Sequence, residues 1–271
     1  MRILIIQGSP RHPDNCSGEQ SKTRTLIPRA IGPFAGRAKF DFLDLAVAPE
    51  AAPVQPCKGC VSTANGYHCH WPCSCYGSKA FSETARQTPD LMHGKKVYQR
   101  MEAADAFLLF CPVNWYAVST RVKAMFDRLV CANLTLTREQ AAQYGFNKDP
   151  AKTRPAEQSG RYDHLLKNHL EGKVAGFFVH GDGGANDYTK RRPPGSYRAH
   201  QGSPTEPDVV DAVMPLVWQC RWSGIDVPDE FIVGVTSGKG LPYSENRFNE
   251  AIIGAAHGLI NRVINRFESR E

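Results

Sequence analysis

The chain opens on Arg2-Ile3-Leu4-Ile5-Ile6-Gln7-Gly8-Ser9-Pro10-Arg11, an apolar run that breaks into small and polar residues. A short strand with an uninterrupted apolar middle is typical of a parallel sheet buried on both faces. The loop after it is rich in Ser, Asn, Gly and Thr, and a helical pattern begins near Ser21. A helix N-terminus presents unpaired backbone N–H groups and the positive end of the helix dipole, which together favour a bound anion. The opening therefore predicts a phosphate-binding turn.

Two familiar phosphate-binding loops do not match this turn. No Gly-x-Gly-x-x-Gly follows the first strand, which argues against a dinucleotide-binding turn. Residues 18–23 read Gly-Glu-Gln-Ser-Lys-Thr and lack the glycine spacing of a P-loop. For this stretch taken alone, an ordinary polar loop without a ligand remains the alternative.

The composition is that of an ordinary globular protein. The 271 residues are 41% hydrophobic and 22% charged, with a formal net charge of +6. This mild positive charge suits a small anionic ligand and falls short of the basic surface typical of nucleic-acid-binding proteins. No apolar stretch is long enough to span a membrane, and the first apolar run is too short for a signal peptide. We expect a cytoplasmic protein with neither a nucleic-acid nor a membrane partner.

Four further apolar segments predict strands, and helical patterns alternate with them. The predicted strands after the first are Lys39–Leu45, Ala106–Cys111, Val174–Val179 and Phe231–Val235. This alternation predicts a parallel sheet with right-handed crossovers. We expect one domain over residues 1–271, with a Cys-rich insertion at about 46–77 and polar insertions at about 134–172 and 185–206.

The loops after the first, third and fourth strands carry the residue types of a ligand site. Because the carboxyl ends of parallel strands lie at one edge of the sheet, these loops should meet there. The predicted ligand site is that edge.

Three features resemble the flavodoxin-like NAD(P)H-dependent FMN reductases and quinone reductases. The first is Gly8-Ser9-Pro10-Arg11 with hydroxyls before the next helix. The second is Ala104-Asp105, a strand, Pro112-Val113-Asn114-Trp115-Tyr116, and then Lys123 to Arg128. The third is the glycine-rich turn after the fourth strand. The resemblance covers most of residues 1–133 and implies a doubly wound α/β fold, with strand order 2-1-3-4-5 and helices on both faces.

The resemblance also implies an activity: hydride passes from NAD(P)H through bound FMN to a small acceptor such as a flavin or quinone. The flavin supplies the chemistry, so no catalytic side chain is expected. Such reductases commonly pair, which implies a homodimer or homotetramer. The alternatives are an electron-carrier flavoprotein that docks a redox partner, and a flavin-free binding protein on the same fold. The basic loop from Lys190 to Arg198 favours NADPH over NADH, unless it is merely solvated.

The implied FMN site has three parts. The resemblance assigns the phosphate to Ser9, Arg11, Ser21 and Thr23; the alternative for Arg11 is an ordinary solvated cation. It assigns the edge of the flavin ring to Pro112, Val113, Asn114, Trp115 and Tyr116, whose two aromatic residues are alternatively surface or interface residues. It assigns the pyrimidine side of the ring to Gly181, Asp182, Gly183 and Gly184. His180 is interpreted as a packed polar residue rather than an acid.

The predicted Cys-rich insertion holds five of the nine cysteines, between Cys57 and Cys75. In a reducing compartment such a cluster indicates metal or redox chemistry more than disulfides. The loop is similar to the cysteine motif of iron-sulfur flavoproteins, with an eight-residue gap before the third cysteine. The candidate ligands are Cys57, Cys60, Cys69 and Cys73, and zinc, an iron-sulfur cluster or no metal all remain open.

Overall fold

A computed structural model of the chain describes residues 1–14, 18, 20–45, 52–61, 68–78, 80, 82–144, 158–181, 209–236 and 246–269. Its main sheet contains β1 (Arg2–Gln7), β2 (Lys39–Asp44), β4 (Ala106–Pro112), β6 (Val174–Gly181) and β7 (Ile232–Thr236). All neighbouring pairs are parallel, in the order β2-β1-β4-β6-β7. When only the strands of this sheet are numbered along the chain, their order is 2-1-3-4-5, as predicted. The predicted fold class is confirmed.

Two further short strands, which the sequence did not reveal, lie outside the main sheet. β3 (His70–Trp71) and β5 (Leu136–Thr137) pair in parallel with each other and form a separate two-stranded sheet. β3 lies in the Cys-rich insertion and β5 in the first polar insertion, so the two insertions are joined. Trp71 is buried at this junction, and its ring stacks on His169 with 5.4 Å between centroids. Strands of two residues have no periodicity to detect.

Helices lie on both faces of the main sheet, as predicted. In the described part of the chain they are α1 (Lys22–Ile31), α2 (Glu83–Gln87), α3 (Leu91–Gly94), α4 (Val97–Ala103), α5 (Thr120–Arg128), α6 (Arg138–Gln143), α7 (Met214–Trp222) and α8 (Asn246–Glu268). α3 and α4 are separate helices, because Lys96 between them adopts a left-handed conformation with φ of 52°. None of the described helices is long and apolar enough to cross a membrane.

Successive side chains of β1 point to opposite faces of the sheet, and the core on each face forms a separate layer. Ile3 and Ile5 pack into the layer formed with α1 and α8, whereas Leu4 and Ile6 pack into the layer formed with α4, α5 and α7. All four side chains are fully buried. Burial of each such side chain contributes about 1.5–3 kcal/mol relative to exposure, so the opening run holds both layers to the sheet.

A buried ion pair connects α5 to the start of α3. The Arg128 guanidinium donates hydrogen bonds of 3.1 and 3.2 Å to the two carboxylate oxygens of Asp90. It also donates to the Tyr98 hydroxyl at 2.9 Å and to the Gln55 carbonyl at 3.2 Å. Because both charged side chains are 1% exposed, removing either partner would leave an uncompensated buried charge. The pair therefore fixes the Cys-rich segment to the core.

Gly8 lies where the first loop leaves β1 and packs against two neighbours. Its N–H donates to the Phe110 carbonyl at 2.8 Å. A Cβ atom at this position would lie 2.4 Å from Cγ2 of Val122 and 2.9 Å from Cβ of Cys111. The absence of a side chain lets the loop approach α5 and β4.

We predict that Gly8→Ala lowers the free energy of unfolding by about 1–3 kcal/mol, because the added methyl group overpacks the junction. Urea unfolding followed by circular dichroism measures the change. Gly36→Ala is the matched control, since a Cβ atom there meets nothing within 4 Å. A loss for Gly36→Ala equal to that for Gly8→Ala would contradict the steric explanation.

Candidate functional site

The first turn of α1 and the segment after β4 meet at His180, near the carboxyl end of β6. Nε2 of His180 lies 2.7 Å from the Thr23 hydroxyl in α1. The His180 carbonyl accepts a hydrogen bond of 2.7 Å from the Val113 N–H, just after β4. His180 is 4% exposed, which agrees with its interpretation as a packed polar residue. The segments that follow β1 and β4 therefore meet at this carboxyl edge, and the loop after β6, from residue 182, lies outside the described residues.

Polar side chains at the ends of β1 and β2 shape the first loop. The Gln7 amide donates to the Ser9 carbonyl at 3.2 Å and to the Asp44 carboxylate at 3.1 Å. The Gln7 amide oxygen in turn accepts from the Ser9 N–H. The Ser9 hydroxyl accepts from the Arg11 N–H at 3.3 Å, so the turn from Ser9 to Arg11 is fixed locally. Asp44 also forms a 2.6 Å ion pair with Arg24 of α1.

The N-terminus of α1 faces this turn. Ser21 caps the helix by accepting the Arg24 N–H at 3.2 Å, and the first intrahelical hydrogen bond runs from the Thr25 N–H to the Ser21 carbonyl. The Thr23 N–H lies in the first turn and has no acceptor within the helix. Hydroxyls that accept one hydrogen bond can still donate their own hydrogen. The N-terminus therefore combines donors with the helix dipole, as an anion site requires.

The loop after β4 is a tight, exposed aromatic turn. Asn114 and Ala117 close it with hydrogen bonds of 2.7 and 3.2 Å between their backbone groups. Trp115 and Tyr116 both adopt left-handed conformations, with φ of 54° and 66°. Each such non-glycine residue costs on the order of 1–2 kcal/mol, and strain of this kind clusters at ligand sites. Trp115 is 94% exposed and Tyr116 51% exposed, so neither contributes to the core.

Ser119 is a positioning residue that the sequence did not single out. Its hydroxyl caps α5 by accepting the Val122 N–H at 3.4 Å and donates to the Gly8 carbonyl at 2.6 Å. The same side chain therefore connects the helix after the aromatic turn to the first loop. Serine is a favoured residue before the first turn of a helix, but its position in the sequence does not reveal the second bond.

The structure brings most of the predicted flavin-site residues to the carboxyl edge. The first loop and α1 carry Ser9, Arg11, Ser21 and Thr23; the end of β4 and the aromatic turn carry Pro112, Val113, Asn114, Trp115 and Tyr116; and Gly181 ends β6. Asp182, Gly183 and Gly184 lie outside the described residues. So does the predicted basic loop with Lys190, Arg191, Arg192 and Arg198.

The cysteines of the insertion form a thiol cluster of Cys60, Cys69, Cys73 and Cys75. The Sγ atoms of Cys60 and Cys75 lie 3.0 Å apart. Hydrogen bonds from Cys69 and Cys75, together with the charge of Arg128, lower the pKa of the Cys73 thiol well below its ordinary value.

The sequence leaves zinc, an iron-sulfur cluster or no metal open for the Cys-rich insertion. Among the residues that the structure describes, no group of three or more His, Cys, Asp or Glu side chains is arranged to hold a metal ion. Three of the candidate ligands, Cys60, Cys69 and Cys73, belong to the thiol cluster together with Cys75, and the Cys57 thiol accepts the Gly59 N–H at 3.4 Å.

A groove of about 520 Å³ lies beside the Cys-rich segment, away from the carboxyl edge. Its lining includes Gly59, Asp127 near the end of α5, and Trp222 at the end of α7. Because α5 begins at the carboxyl edge, its last residues lie toward the opposite edge of the sheet. None of the predicted flavin-site residues lines this groove.

A family model described as NADPH-dependent FMN reductase matches residues 1–147 of the chain. No curated protein matches the sequence.

The structure is similar to that of RosB with the bound intermediate 8-demethyl-8-formylriboflavin-5'-phosphate, with 13% identity, coverage of 98% of this chain and 81% of that chain, and a TM-score of 0.50. It is also similar to an FMN-dependent NADH-azoreductase from Bacillus anthracis in complex with FMN, with 11% identity, coverage of 98% and 99%, and a TM-score of 0.50. At these identities the structural similarities establish the fold alone.

We predict that Ser119→Ala lowers the free energy of unfolding by about 1–2 kcal/mol, since it removes both a helix cap and the bond to Gly8. Ser82→Ala is the matched control, because Ser82 caps α2 by accepting the Ala85 N–H at 3.1 Å. Chemical unfolding of both variants should give a larger loss for Ser119→Ala. Equal losses of unfolding free energy in the two variants would indicate that the hydrogen bond to Gly8 adds no stability beyond that of the helix cap.

Proposed function

Since the chain belongs to the NADPH-dependent FMN reductase family, we propose that it binds FMN at the carboxyl edge and passes a hydride from NADPH through the flavin to a small acceptor. Family membership makes the protein an NAD(P)H-dependent oxidoreductase. Quinones and free flavins are the acceptors proposed. The observation that supports the proposed site is that the first turn of α1 and the segment after β4 both contact His180 at the end of β6.

The first loop and α1 supply the proposed phosphate site. An FMN phosphate is a dianion, and each favourable contact with a helix N-terminus contributes on the order of 0.3–1 kcal/mol. Hydrogen bonds can be donated to the phosphate by the hydroxyls of Ser9, Ser21 and Thr23. The N–H groups of the first turn of α1 can donate as well. Arg11 adds a full positive charge from an exposed position beside the turn. These donors fit the charge and oxygen atoms of a phosphate.

The aromatic turn and the end of β6 supply the proposed ring site. Val113 and Asn114 would lie along the edge of the isoalloxazine, where the side-chain amide of Asn114 can meet its polar atoms; their backbone N–H groups already donate to His180 and Ala117. Trp115 and Tyr116 offer flat faces for stacking. Gly181 adds no side chain where the ring approaches, and we propose the same for Gly183 and Gly184, with Asp182 beside them.

Bound FMN supplies the hydride chemistry, and the chain supplies binding and orientation. His180 holds α1 and the aromatic turn at a fixed separation through its two hydrogen bonds. The left-handed aromatic turn is preorganised, so less conformational freedom is lost when a ring stacks on it. No side chain is proposed as an acid or base.

The test of the phosphate site compares FMN with riboflavin, which lacks the phosphate. We predict that Arg11→Ala weakens FMN binding by roughly tenfold or more, as expected for loss of a charged hydrogen bond, and leaves riboflavin affinity nearly unchanged. Titration of flavin fluorescence measures both affinities. Arg29→Ala, at an exposed position in the last turn of α1, is the matched control and should change neither.

Equal losses of FMN and riboflavin affinity in Arg11→Ala would place the phosphate elsewhere. The hydride step is tested separately, by mixing the FMN-bound protein with NADPH in the absence of oxygen. Rapid bleaching of the flavin is expected. A flavin that stays oxidised would favour the alternative function of an electron carrier.

We also propose that the protein forms a homodimer or homotetramer in which a partner covers the aromatic turn. Trp115 and Tyr116 are exposed side chains of the kind that interfaces bury. Light scattering at micromolar concentration should give the mass of at least two chains when FMN is bound. A monomeric mass would contradict this part of the proposal.

A further inference from the structure

The thiol cluster takes no part in the proposed flavin site. Its members come from two segments: Cys60 from the first turn of the Cys-rich insertion, and Cys69, Cys73 and Cys75 from β3 and its flanks. The four thiols differ in accessibility. Cys69 and Cys73 are buried, with 6% and 3% exposure, whereas Cys60 and Cys75 are half-buried. Only the last two combine mutual contact with access to solvent.

The sulfur atoms of Cys60 and Cys75 are already close to bonding distance. Their separation of 3.0 Å is about 1 Å longer than the roughly 2.05 Å of a disulfide bond. The closing movement is therefore small compared with the side-chain rotations that each cysteine allows.

A second contact holds the two segments next to each other. Tyr76, next to Cys75, donates from its hydroxyl to the Pro56 carbonyl at 3.1 Å. The Tyr76 ring lies between two cations, with Lys58 Nζ 4.7 Å and the Arg128 guanidinium carbon 4.6 Å from its centroid. Arg128 is itself fixed by Asp90 and also binds the Gln55 carbonyl. The proximity of the two thiols is therefore supported by contacts on both sides of the pair.

We propose that Cys60 and Cys75 form a reversible dithiol–disulfide pair that small disulfides oxidise. The thiolate of one cysteine attacks a sulfur of the small disulfide, releases one small thiol and remains as a mixed disulfide. The second cysteine then attacks the protein sulfur of that mixed disulfide and releases the second small thiol. Two protein thiols and one small disulfide become one protein disulfide and two small thiols, so protons and electrons balance.

The cross-link would constrain the segment between residues 60 and 75. A disulfide limits the conformations of the unfolded chain, so oxidation should raise the melting temperature, and a dithiol reductant should reverse the rise. FMN is not required for any step. Failure of the proposed flavin function would therefore leave this inference untouched.

The experiment uses the full-length protein, first reduced and then freed of reductant, with its metal content measured by mass spectrometry. The protein is exposed to oxidised glutathione without oxygen, and the remaining thiols are alkylated before peptide mapping. We expect a peptide linked through Cys60 and Cys75, its loss after dithiothreitol, and unchanged linkage in the control Cys57→Ser. In Cys60→Ser we expect a mixed disulfide with glutathione on Cys75 instead, and in Cys75→Ser the same adduct on Cys60.

The wild-type peptide map decides the matter even if a serine variant does not fold. Linkage of any other pair, or no loss of these two thiols, would overturn the proposal. A stoichiometric metal ion that must be chelated before the two thiols react would also overturn it, because the cluster would then be a metal site.

Discussion

The hydrogen bonds of His180 are the constraint on which the functional edge depends. A buried imidazole at the end of β6 contacts the Thr23 hydroxyl at 2.7 Å, and its backbone carbonyl accepts the Val113 N–H at 2.7 Å. These two bonds connect α1 and the aromatic turn to a central strand. The parallel sheet brings the carboxyl ends of β1, β4 and β6 to one edge. Ser119 adds a third connection by joining the start of α5 to Gly8.

The opposite end of the molecule depends on a different polar group. Buried Arg128 binds Asp90, Tyr98 and Gln55, and thereby attaches the Cys-rich segment to α3, α4 and α5. The two-stranded sheet of β3 and β5 then joins this segment to the first polar insertion. Earlier in α5, Lys123 and Asp127 have the four-residue spacing of a helical ion pair. That surface pair is present, but Arg128 points inward.

The sequence predicted the main sheet well because its strands are buried on both faces. Runs such as residues 3–6 and 106–111 have no polar interruption, which is a strong signal for central parallel strands. The position of the loops at the carboxyl edge could be predicted from the parallel arrangement of the strands alone. What the sequence could not reveal were contacts between residues far apart in the chain. Gln7 and Ser119 are single polar residues without a pattern, and their partners become visible only when the strands and helices are assembled.

Cysteine spacing did not reveal which thiols meet. The Cys-x-x-Cys motif pairs Cys57 with Cys60, and in the structure the thiol of Cys60 contacts that of Cys75. Which thiols meet depends on β3 and on Tyr76, which binds the Pro56 carbonyl. Neither the two-residue strand nor this tyrosine contact follows from spacing.

A crystal structure of the protein with FMN tests the central claim most directly. The account predicts that the phosphate lies at the N-terminus of α1, within hydrogen-bond distance of the turn from Ser9 to Arg11. It also predicts that the flavin ring lies along the aromatic turn from Asn114 to Ala117. A flavin bound in the groove beside Trp222, with the N-terminus of α1 empty, would contradict the account.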